Sequence, residues 1–315
     1  MNNRMPDNGH GMGTGVAVAE PVALPSQPRM RSESLFAQTS RRIKRSYAAL
    51  LGLAIVVVLV LVAIFADVLA PYSPTVNSPS EMFQTPNRTH LMGTDQFGRD
   101  MLSRIIHGSR ISIAVGLASV LLAIFVGVPM GIIAGFYGGK IDTMVMRTMD
   151  LILAFPVFLL AIVIMIMFTP TAGLMGAMKV IMAIAIVRIP IYARLVRGSV
   201  LSIKEKEYVE ACRALGQRDP KILMRHILPN CLAPIVVTGT LSIATAIIVE
   251  ASLSFLGLGT QPPTPSWGWD LKANVAWIHQ NPWLALGPGF AIFITVLGFN
   301  LFGDGLRDAL DPRLK

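Results

Sequence analysis

Long apolar runs alternate with short charged segments along the chain. Five uncharged runs each exceed the roughly 18 residues that a helix needs to cross the hydrocarbon core of a bilayer. They cover residues 47–66, 111–139, 151–178, 227–249 and 280–303. A sixth stretch, 180–203, is interrupted by Arg188 and Pro190, and we also expect it to span. The pattern predicts an all-α, polytopic membrane protein with six transmembrane helices.

Composition and charge agree with this prediction. Hydrophobic residues make up 53% of the chain, charged residues make up 14%, and the mean hydropathy is +0.60. Lys and Arg are concentrated before residue 47 and within 194–225, whereas the alternate loops hold few of them. Because cationic residues beside spans stay in the cytoplasm, we expect both termini to be cytoplasmic. The net charge of +9 then follows from topology and from contact with anionic membrane lipid, so nucleic-acid binding is not needed to explain it.

The spans divide the chain into five predicted segments. Residues before the first span are rich in Gly, Pro and polar residues without apolar periodicity, which is typical of a disordered cytoplasmic tail. In order, the segments are the tail at 1–45, the first transmembrane anchor helix at 46–68, an extracytoplasmic segment at 69–110, the membrane core at 111–303 and a cytoplasmic C-terminus at 304–315.

A charged segment at 204–226 lies between two apolar runs. Its apolar residues recur with helical spacing and form one narrow stripe, which comprises Tyr208, Ala211, Cys212 and Leu215. Gly216 stands where a helix ends in the left-handed conformation, and Asp219-Pro220 supplies an N-cap and first position for a second helix. We therefore predict two short helices that meet at Gly216, and we call residues 204–226 the elbow. Periodicity alone also allows a single amphipathic helix on lipid headgroups.

The order of residues in the elbow resembles the EAA loop of ABC-importer permeases. Glu210, Ala211 and Cys212 are followed after three positions by Gly216 and, after nine more, by His-Ile-Leu-Pro-Asn at 226–230. Cys212 stands where that family usually has a second Ala. His226 stands where Ile is common, and this form is similar to the peptide and nickel subgroup.

Four further blocks resemble the same subgroup, and together the matches cover most of residues 45–315. They are GTDQFGRDMLSRIIHGSRIS at 93–112, YARLVRGSVL at 192–201, EASLSFLGLG at 250–259 and PSWG at 265–268. The resemblance implies a type I ABC-importer permease with six transmembrane helices. It also implies a second permease beside this chain, two ATPase subunits or domains on the cytoplasmic side and an extracytoplasmic substrate-binding protein.

The resemblance implies transport of dipeptides or oligopeptides across a bacterial inner membrane. Nickel or another small solute is the alternative within the family. An ion-coupled secondary carrier is the alternative outside it, although such carriers are expected to have intramembrane acids or broken helices in matched halves. A membrane-bound enzyme is a weaker alternative, because no catalytic constellation is evident.

The chain itself is not expected to hydrolyse ATP or to bind a cofactor. A phosphate-cradling GxxxxGK[ST] loop is absent from the sequence, so ATP and Mg would be bound by the partner ATPase subunits. Five histidines are scattered without the spacing of metal ligands, and no metal site is predicted.

We assign coupling to the ATPase to the elbow. Burial of the stripe residues in a groove of the partner would give association energy. Glu210 and Arg213 would fix the register through charged contacts, and Gly216 would let the chain turn closely against the partner. Within the helix, Lys206 is expected to pair with Glu210, and Glu210 with Arg213.

Small residues recur at every fourth position of the second span, including Gly127, Gly131, Gly135 and Gly139. This spacing clears one helix face, and we predict close helix packing there, with a substrate-lining role as the alternative.

Two charged residues fall at membrane depth, where polar groups are costly. Arg188 and Glu250 are therefore candidates for the translocation pathway or a gate. As alternatives, Arg188 snorkels to the interface or pairs with an acid on the partner permease, and Glu250 sits at the outer interface.

The extracytoplasmic parts carry two further patterns. Met101 and Ile105 have the spacing of an amphipathic helix on the membrane surface. For Asp95, Arg99 and Asp100 we favour capping and local pairing over contact with a binding protein. The four tryptophans between 251 and 283 fit an interfacial aromatic belt, with an outer gate or docking surface as an added role.

Overall fold

The fold consists of helices, whose connections are short apart from the long segment at 70–100. The computed structural model describes residues 41, 43, 46–169 and 171–310. The helices are α1 Tyr47–Ile64, α2 Ala66–Leu69, α3 Met101–Tyr137, α4 Gly139–Leu153, α5 Val157–Ile166, α6 Gly173–Lys204, α7 Glu207–Ala214, α8 Asp219–Ile222, α9 Leu228–Phe255, α10 Trp267–Val275 and α11 Trp283–Leu310. A 3-10 turn covers Pro79–Glu81, and a π-helical turn at Leu223–Ile227 joins α8 to α9. Within the described ranges, extended pairing is limited to two isolated bridges, Thr94 with Asp100 and Ala172 with Gln261.

Five helical units are long and apolar enough to cross a membrane. They are α1, α3, α6, the unit Asp219–Phe255 that ends in α9, and α11. The pair α4 and α5 passes the same test only when joined, and it is bent by 85°. Counting this pair as one broken span gives six, which confirms the predicted all-α polytopic fold.

The predicted third span at 151–178 is wrong as a continuous helix. α4 begins earlier, at Gly139, and ends at Leu153, and Pro156 precedes α5. Proline lacks a backbone N–H and drives the residue before it out of the helical region, so the chain bends there. Gly173, with φ +62, then starts α6 inside the same apolar run. Hydropathy hides this break because Pro and Gly are apolar enough to stay within the run.

The first span is close to its predicted place. Ser46 caps α1, since its side chain accepts a hydrogen bond from the Ala49 amide at 3.3 Å. α1 packs against α11, where a Cβ on Gly305 would overlap Ala49. The predicted disordered tail lies outside the described residues apart from 41 and 43, as do 311–315 of the predicted C-terminus. The first part of that predicted C-terminus, 304–310, belongs to α11, which continues to Leu310.

Close approach of α3 and α6 forms the centre of the fold. A Cβ on Gly131 would overlap the Ala193 carbonyl oxygen, and one on Gly127 would lie 2.7 Å from the Ile189 carbonyl oxygen. A Cβ on Gly135 would lie 2.9 Å from the Val200 Cβ. These three glycines therefore let the two backbones touch.

Gly139 does not share in this contact. α3 ends at Tyr137, and Gly139 begins α4 with φ +56, with nothing within 4 Å of its Cβ position. The prediction of helix packing at Gly139 is wrong because the small-residue spacing continues past the end of the helix. At this position glycine instead supplies the left-handed conformation of the turn.

The predicted surface helix around Met101 and Ile105 is also wrong. Asp100 caps α3, accepting from the Ser103 amide at 2.8 Å, so the helix that spans the membrane starts ten residues before its apolar run. Met101 and Arg104 are fully buried under residues 70–100 and α10, which together we call the cap. The elbow lies near the other end of α3, because Lys204 donates to the Gly135 carbonyl at 3.0 Å. A helix of this length separates the cap and the elbow by about 55 Å.

Candidate functional site

The elbow is fixed to the membrane helices by its own hydrophobic cluster. Val209 on α7 and Ile222 on α8 are fully buried. They pack with apolar residues of α3, α6 and α9 in a cluster that comprises Val128, Ile132, Phe136, Val196, Val200, Ile203, Val209, Ile222, Ile227, Cys231 and Ile235. Burying a valine or isoleucine side chain contributes roughly 1.5–3 kcal/mol, so the elbow is held firmly against the ends of three helices.

Gly216 makes the turn between the two short helices, as predicted from its position after α7. Its φ is +71, and its amide donates to the Arg213 carbonyl at 2.9 Å. The Gln217 amide donates to the Cys212 carbonyl at 3.0 Å. These bonds satisfy carbonyls at the end of α7 that would otherwise lack partners. Arg218, and not Asp219, is the residue before α8, so the predicted N-cap is displaced by one residue.

The predicted apolar stripe lies on the outward face of the elbow. Leu215 is 87% exposed and Tyr208 is 40% exposed, Ala211 is exposed, and Cys212 is half-buried. Val209 supplies the inward anchor, and this residue was missed because it falls outside the stripe's spacing. Leu215 and Gly216 line a shallow cleft of about 610 Å³ between α7 and α8. An exposed leucine beside a cleft, on a helix held by a separate cluster, is suited to contact with another protein.

The two charged residues of α7 are not paired with each other. Arg213 stacks over the Phe136 ring at 5.1 Å, and Glu210 is exposed without an ion pair to any described residue. The expected pairs with Lys206 and Arg213 are therefore absent in this conformation. An exposed pair of this spacing contributes only about 0.3–0.5 kcal/mol, which a cation–π contact of about 0.5–1 kcal/mol outweighs. Glu210 is left free for a charged group on a partner.

A small polar cluster joins α7 to the start of α9. Asn230 donates to the His226 carbonyl at 2.6 Å and reaches the Tyr208 hydroxyl at 3.5 Å. The Cys212 sulfur lies 3.7 Å from the His226 Nε2. His226, the residue of the peptide and nickel form of the loop, thus contacts the inner edge of the stripe.

Substitution of Gly216 tests the geometry of the turn. Valine at φ +71 is strained by about 1–3 kcal/mol although space is free around it, so we expect Gly216→Val to displace α7 from α8. Solute uptake should fall at least tenfold while membrane insertion stays normal. Asparagine tolerates this conformation, and Gly216→Asn should keep most of the uptake. Equal uptake by the Val and Asn variants, at equal membrane levels, would show that the turn does not matter.

Arg188 is buried within the chain. It is 6% exposed and donates to the Thr245 hydroxyl of α9 at 2.7 Å, and its Nε has no hydrogen-bond partner among the described residues. Snorkelling to the interface is thus excluded for this conformation.

Glu250 is likewise buried within the chain. It is 1% exposed and accepts a hydrogen bond from Ser254 at 2.8 Å, while Oε2 is without a partner in the described part of the chain. No ion pair joins Arg188 to Glu250 there, so the structure does not bring the two candidate gate residues together.

The cap contains a buried ion pair that the sequence analysis missed. Arg104 of α3 and Asp270 of α10 are both buried, and the Arg104 Nε donates to Asp270 at 2.8 Å. Arg104 also donates to the Pro74 carbonyl at 2.8 Å. Burial raises the pKa of the Asp270 carboxyl, and the Arg104 charge opposes this rise. The signal was available, because Arg104 lies in the block at 93–112 and Asp270 follows the PSWG block by two residues.

Capping and local pairing explain Asp95, Arg99 and Asp100, as predicted. Asp95 accepts from the amides of Phe97 at 2.8 Å and Arg99 at 2.9 Å, and it also binds the Arg99 guanidinium. Asp100 caps α3 and contacts His90 at 3.0 Å. Trp267 donates to the Ile105 carbonyl at 2.9 Å, so this tryptophan is a buried packing residue and not part of an interfacial belt.

Comparison with known proteins decides the family. Residues 127–315, more than half of the chain, match the family described as binding-protein-dependent transport system inner membrane component. The chain belongs to this family. Residues 34–86 match a second one, the N-terminal TM domain of oligopeptide transport permease C. The chain is therefore a DppC/OppC-like permease subunit of an ABC importer, a multi-span protein, and the predicted family is confirmed.

Individual relatives extend this match over nearly the whole chain. The dipeptide transport system permease protein DppC of Alkalihalophilus pseudofirmus is 44% identical, covering 94% of this chain and 96% of that protein. The di/tripeptide transport system permease protein DppC of Pseudomonas aeruginosa is 42% identical, with coverage of 85% and 88%. The glutathione transport system permease protein GsiD of Pectobacterium atrosepticum is 44% identical, with coverage of 87% and 90%.

A solved structure supports the fold independently. A chain of the MetNI methionine ABC transporter in an inward-facing conformation superposes with a TM-score of 0.55 at 20% identity. The superposition covers 67% of this chain and 98% of that one. This likeness confirms the predicted ABC-importer permease fold.

Proposed function

We propose that this chain forms, with a second permease, the path by which dipeptides and oligopeptides cross a bacterial inner membrane. The named relatives transport dipeptides, di- and tripeptides or glutathione, which is itself a tripeptide. Nickel or another small solute remains the alternative substrate. The elbow is the observation that carries the mechanism, because its exposed face is displayed by a helix that is fixed to the membrane core.

The elbow transmits the movement of the partner ATPase subunits to this chain. ATP and Mg²⁺ are bound by two partner ATPase subunits or domains, which dock on the stripe of α7, and the chain binds no cofactor of its own. The elbow and both termini lie in the cytoplasm, in agreement with the distribution of Lys and Arg. Glu210 and Arg213 orient the contact, and the extracytoplasmic binding protein delivers solute at the cap.

The helices that are joined to the elbow determine which transmembrane segments move when the ATPase displaces it. α8, the π turn and α9 form one helical unit, Asp219–Phe255, so a displacement of α8 tilts α9 as a rigid body. On the other side, two residues separate α6 from α7. α6 is tied to α3 by the glycine contact, so the ends of three spans respond together. Arg188 and Glu250, between α6, α9 and their neighbours, are proposed to change partners as these helices move.

Reconstitution tests the proposed function. Proteoliposomes that hold this chain, the second permease and the ATPase subunits should accumulate a labelled dipeptide only with ATP and the binding protein present. Vesicles that hold this chain alone should show no uptake with or without an ion gradient. Gradient-driven uptake by the chain alone would establish a secondary carrier and overturn the proposal.

A further inference from the structure

The cap contains a cleft of about 500 Å³ that the transport mechanism above does not use. It lies between the segment before α3 and helix α10, and Asn77, Gln96, Phe97, Arg99, Trp269 and Lys272 are among its lining residues. Phe97 and Trp269 form aromatic walls, and the polar side chains of Asn77 and Gln96 stand beside them. No acidic side chain is among the described residues that line the cleft.

The two cations in this cleft differ in their partners. Arg99 is neutralised by Asp95, which binds its guanidinium at 2.6 Å. Lys272 is half-buried and lies over the Trp269 ring at 4.9 Å, and in the described part of the chain it forms no ion pair. The cleft therefore has one uncompensated positive charge at its side, placed against an aromatic ring.

Hydrogen bonds and close packing within the chain hold the walls of the cleft in place. Asp95 holds the loop through the amides of Phe97 and Arg99, and the Ser78 amide donates to the Phe97 carbonyl at 3.0 Å. Gly98, with φ +72, packs so closely on Ser78 that a Cβ would overlap its carbonyl oxygen. Trp277 donates to the Gln96 side chain at 3.2 Å, which fixes a second lining residue. A preformed site loses less conformational entropy when it binds.

The position of the cleft excludes a lipid headgroup as its occupant. α3 starts at Met101, directly after the cleft loop, and its uncharged run starts at 111. Ten helical residues rise about 15 Å, whereas the headgroup layer adds only about 5–8 Å to each side of the hydrocarbon core. The cleft therefore opens into the aqueous space beyond the membrane surface.

We propose that this cleft is a docking socket for a carboxylate side chain, flanked by an apolar residue, on the extracytoplasmic substrate-binding protein. The inference rests on the proposed function, which places the cap outside the cell membrane, and the family is by its description binding-protein-dependent. The carboxylate pairs with Lys272, and the flanking apolar residue packs between Phe97 and Trp269. Opposite charges across such an interface steer association and fix the orientation of the partner.

Charge reversal at Lys272 tests the socket. The probe is the binding protein that stimulates ATP hydrolysis by the assembled importer, and its affinity for the importer in nanodiscs is measured across a salt series. Lys272→Glu should weaken binding at least about tenfold and flatten the dependence on salt, and Lys272→Arg should bind like the wild type. Lys179→Glu is the matched control, since Lys179 is also a half-buried lysine, near the cap end of α6 and outside the cleft, and its ammonium donates to the Thr169 carbonyl.

Each other outcome overturns the socket. If the Lys272→Glu importer bound the binding protein with unchanged affinity, the proposed socket would be wrong. Equal weakening by Lys179→Glu would show only a general effect of charge. Reduced uptake with normal binding-protein affinity would assign the cleft to the peptide itself. Where Lys272→Glu fails to assemble, Lys272→Gln decides, with about threefold weaker binding expected and wild-type binding contradicting the socket. A wild-type assembly without ATP-dependent uptake would instead reject the proposed function, whatever the affinities.

Discussion

Replacement of Gly131 by Val is expected to abolish the folded permease. A Cβ at this position would overlap the carbonyl oxygen of Ala193 and lie 3.0 Å from the Val196 Cβ, and a backbone atom cannot rotate away. Gly127 and Gly135 also lie close to α6 one turn to either side, so sliding of the helices does not relieve the overlap. Overpacking costs about 1–3 kcal/mol where side chains can adjust, and more where backbones collide. This is a large part of a stability of about 5–15 kcal/mol.

The measurement is the amount of monodisperse complex recovered in detergent, together with ATP-driven uptake. We expect Gly131→Val to lose more than nine-tenths of both quantities. A tenfold fall in the ratio of folded to unfolded protein corresponds to a loss of stability of roughly 1.4 kcal/mol. Gly198→Val is the matched control, because Gly198 lies on α6 and nothing stands within 4 Å of its Cβ position. Recovery of Gly131→Val at the level of this control would refute the close packing of α3 and α6.

Replacement of Leu215 by Asp is expected to remove the ATPase subunits from the purified complex. Leu215 is 87% exposed and packs on little of its own chain, so the substitution leaves the permease fold intact. In the assembled importer the same side chain would be buried, which contributes roughly 1.5–3 kcal/mol, and a carboxylate there would add a desolvation cost. Together these effects should weaken association more than a hundredfold and stop uptake.

The ratio of ATPase to permease after affinity purification measures this effect. Leu91→Asp is the control, since Leu91 is also strongly exposed but lies in the cap at the other end of α3. We expect the control to retain the wild-type ratio. A normal ratio for Leu215→Asp would mean that the ATPase docks elsewhere.

Local signals were sufficient to predict the elbow. A turn that needs φ above zero selects Gly216, and helical spacing groups the exposed residues Tyr208 and Leu215, so each feature can be read from a few neighbouring positions. The spans α1, α3, α9 and α11 were predicted for the same reason, because their length and apolar composition are local properties. Periodicity could not tell whether the stripe faces its own chain, which is why Val209 was missed as the anchor.

Long-range contacts account for the errors. Arg104 and Asp270 are far apart in the chain, and no local pattern indicates that a cationic residue in an amphipathic stretch is buried against a distant acid. The same burial converts the expected surface helix at Met101 into the start of α3. At 151–178, apolar composition masks the bend at Pro156, because a hydropathy run reports solvent preference and not direction.

A photo-crosslinking side chain at position 215 tests the central claim most directly. In inner-membrane vesicles that hold the complete importer, the account predicts that a benzophenone group in place of Leu215 forms an adduct with an ATPase subunit. The same group in place of Leu91 should form none with that subunit. Adducts of position 215 with lipid alone, or its labelling from the extracytoplasmic side, would contradict the assignment of the elbow as the site where the ATPase drives the permease.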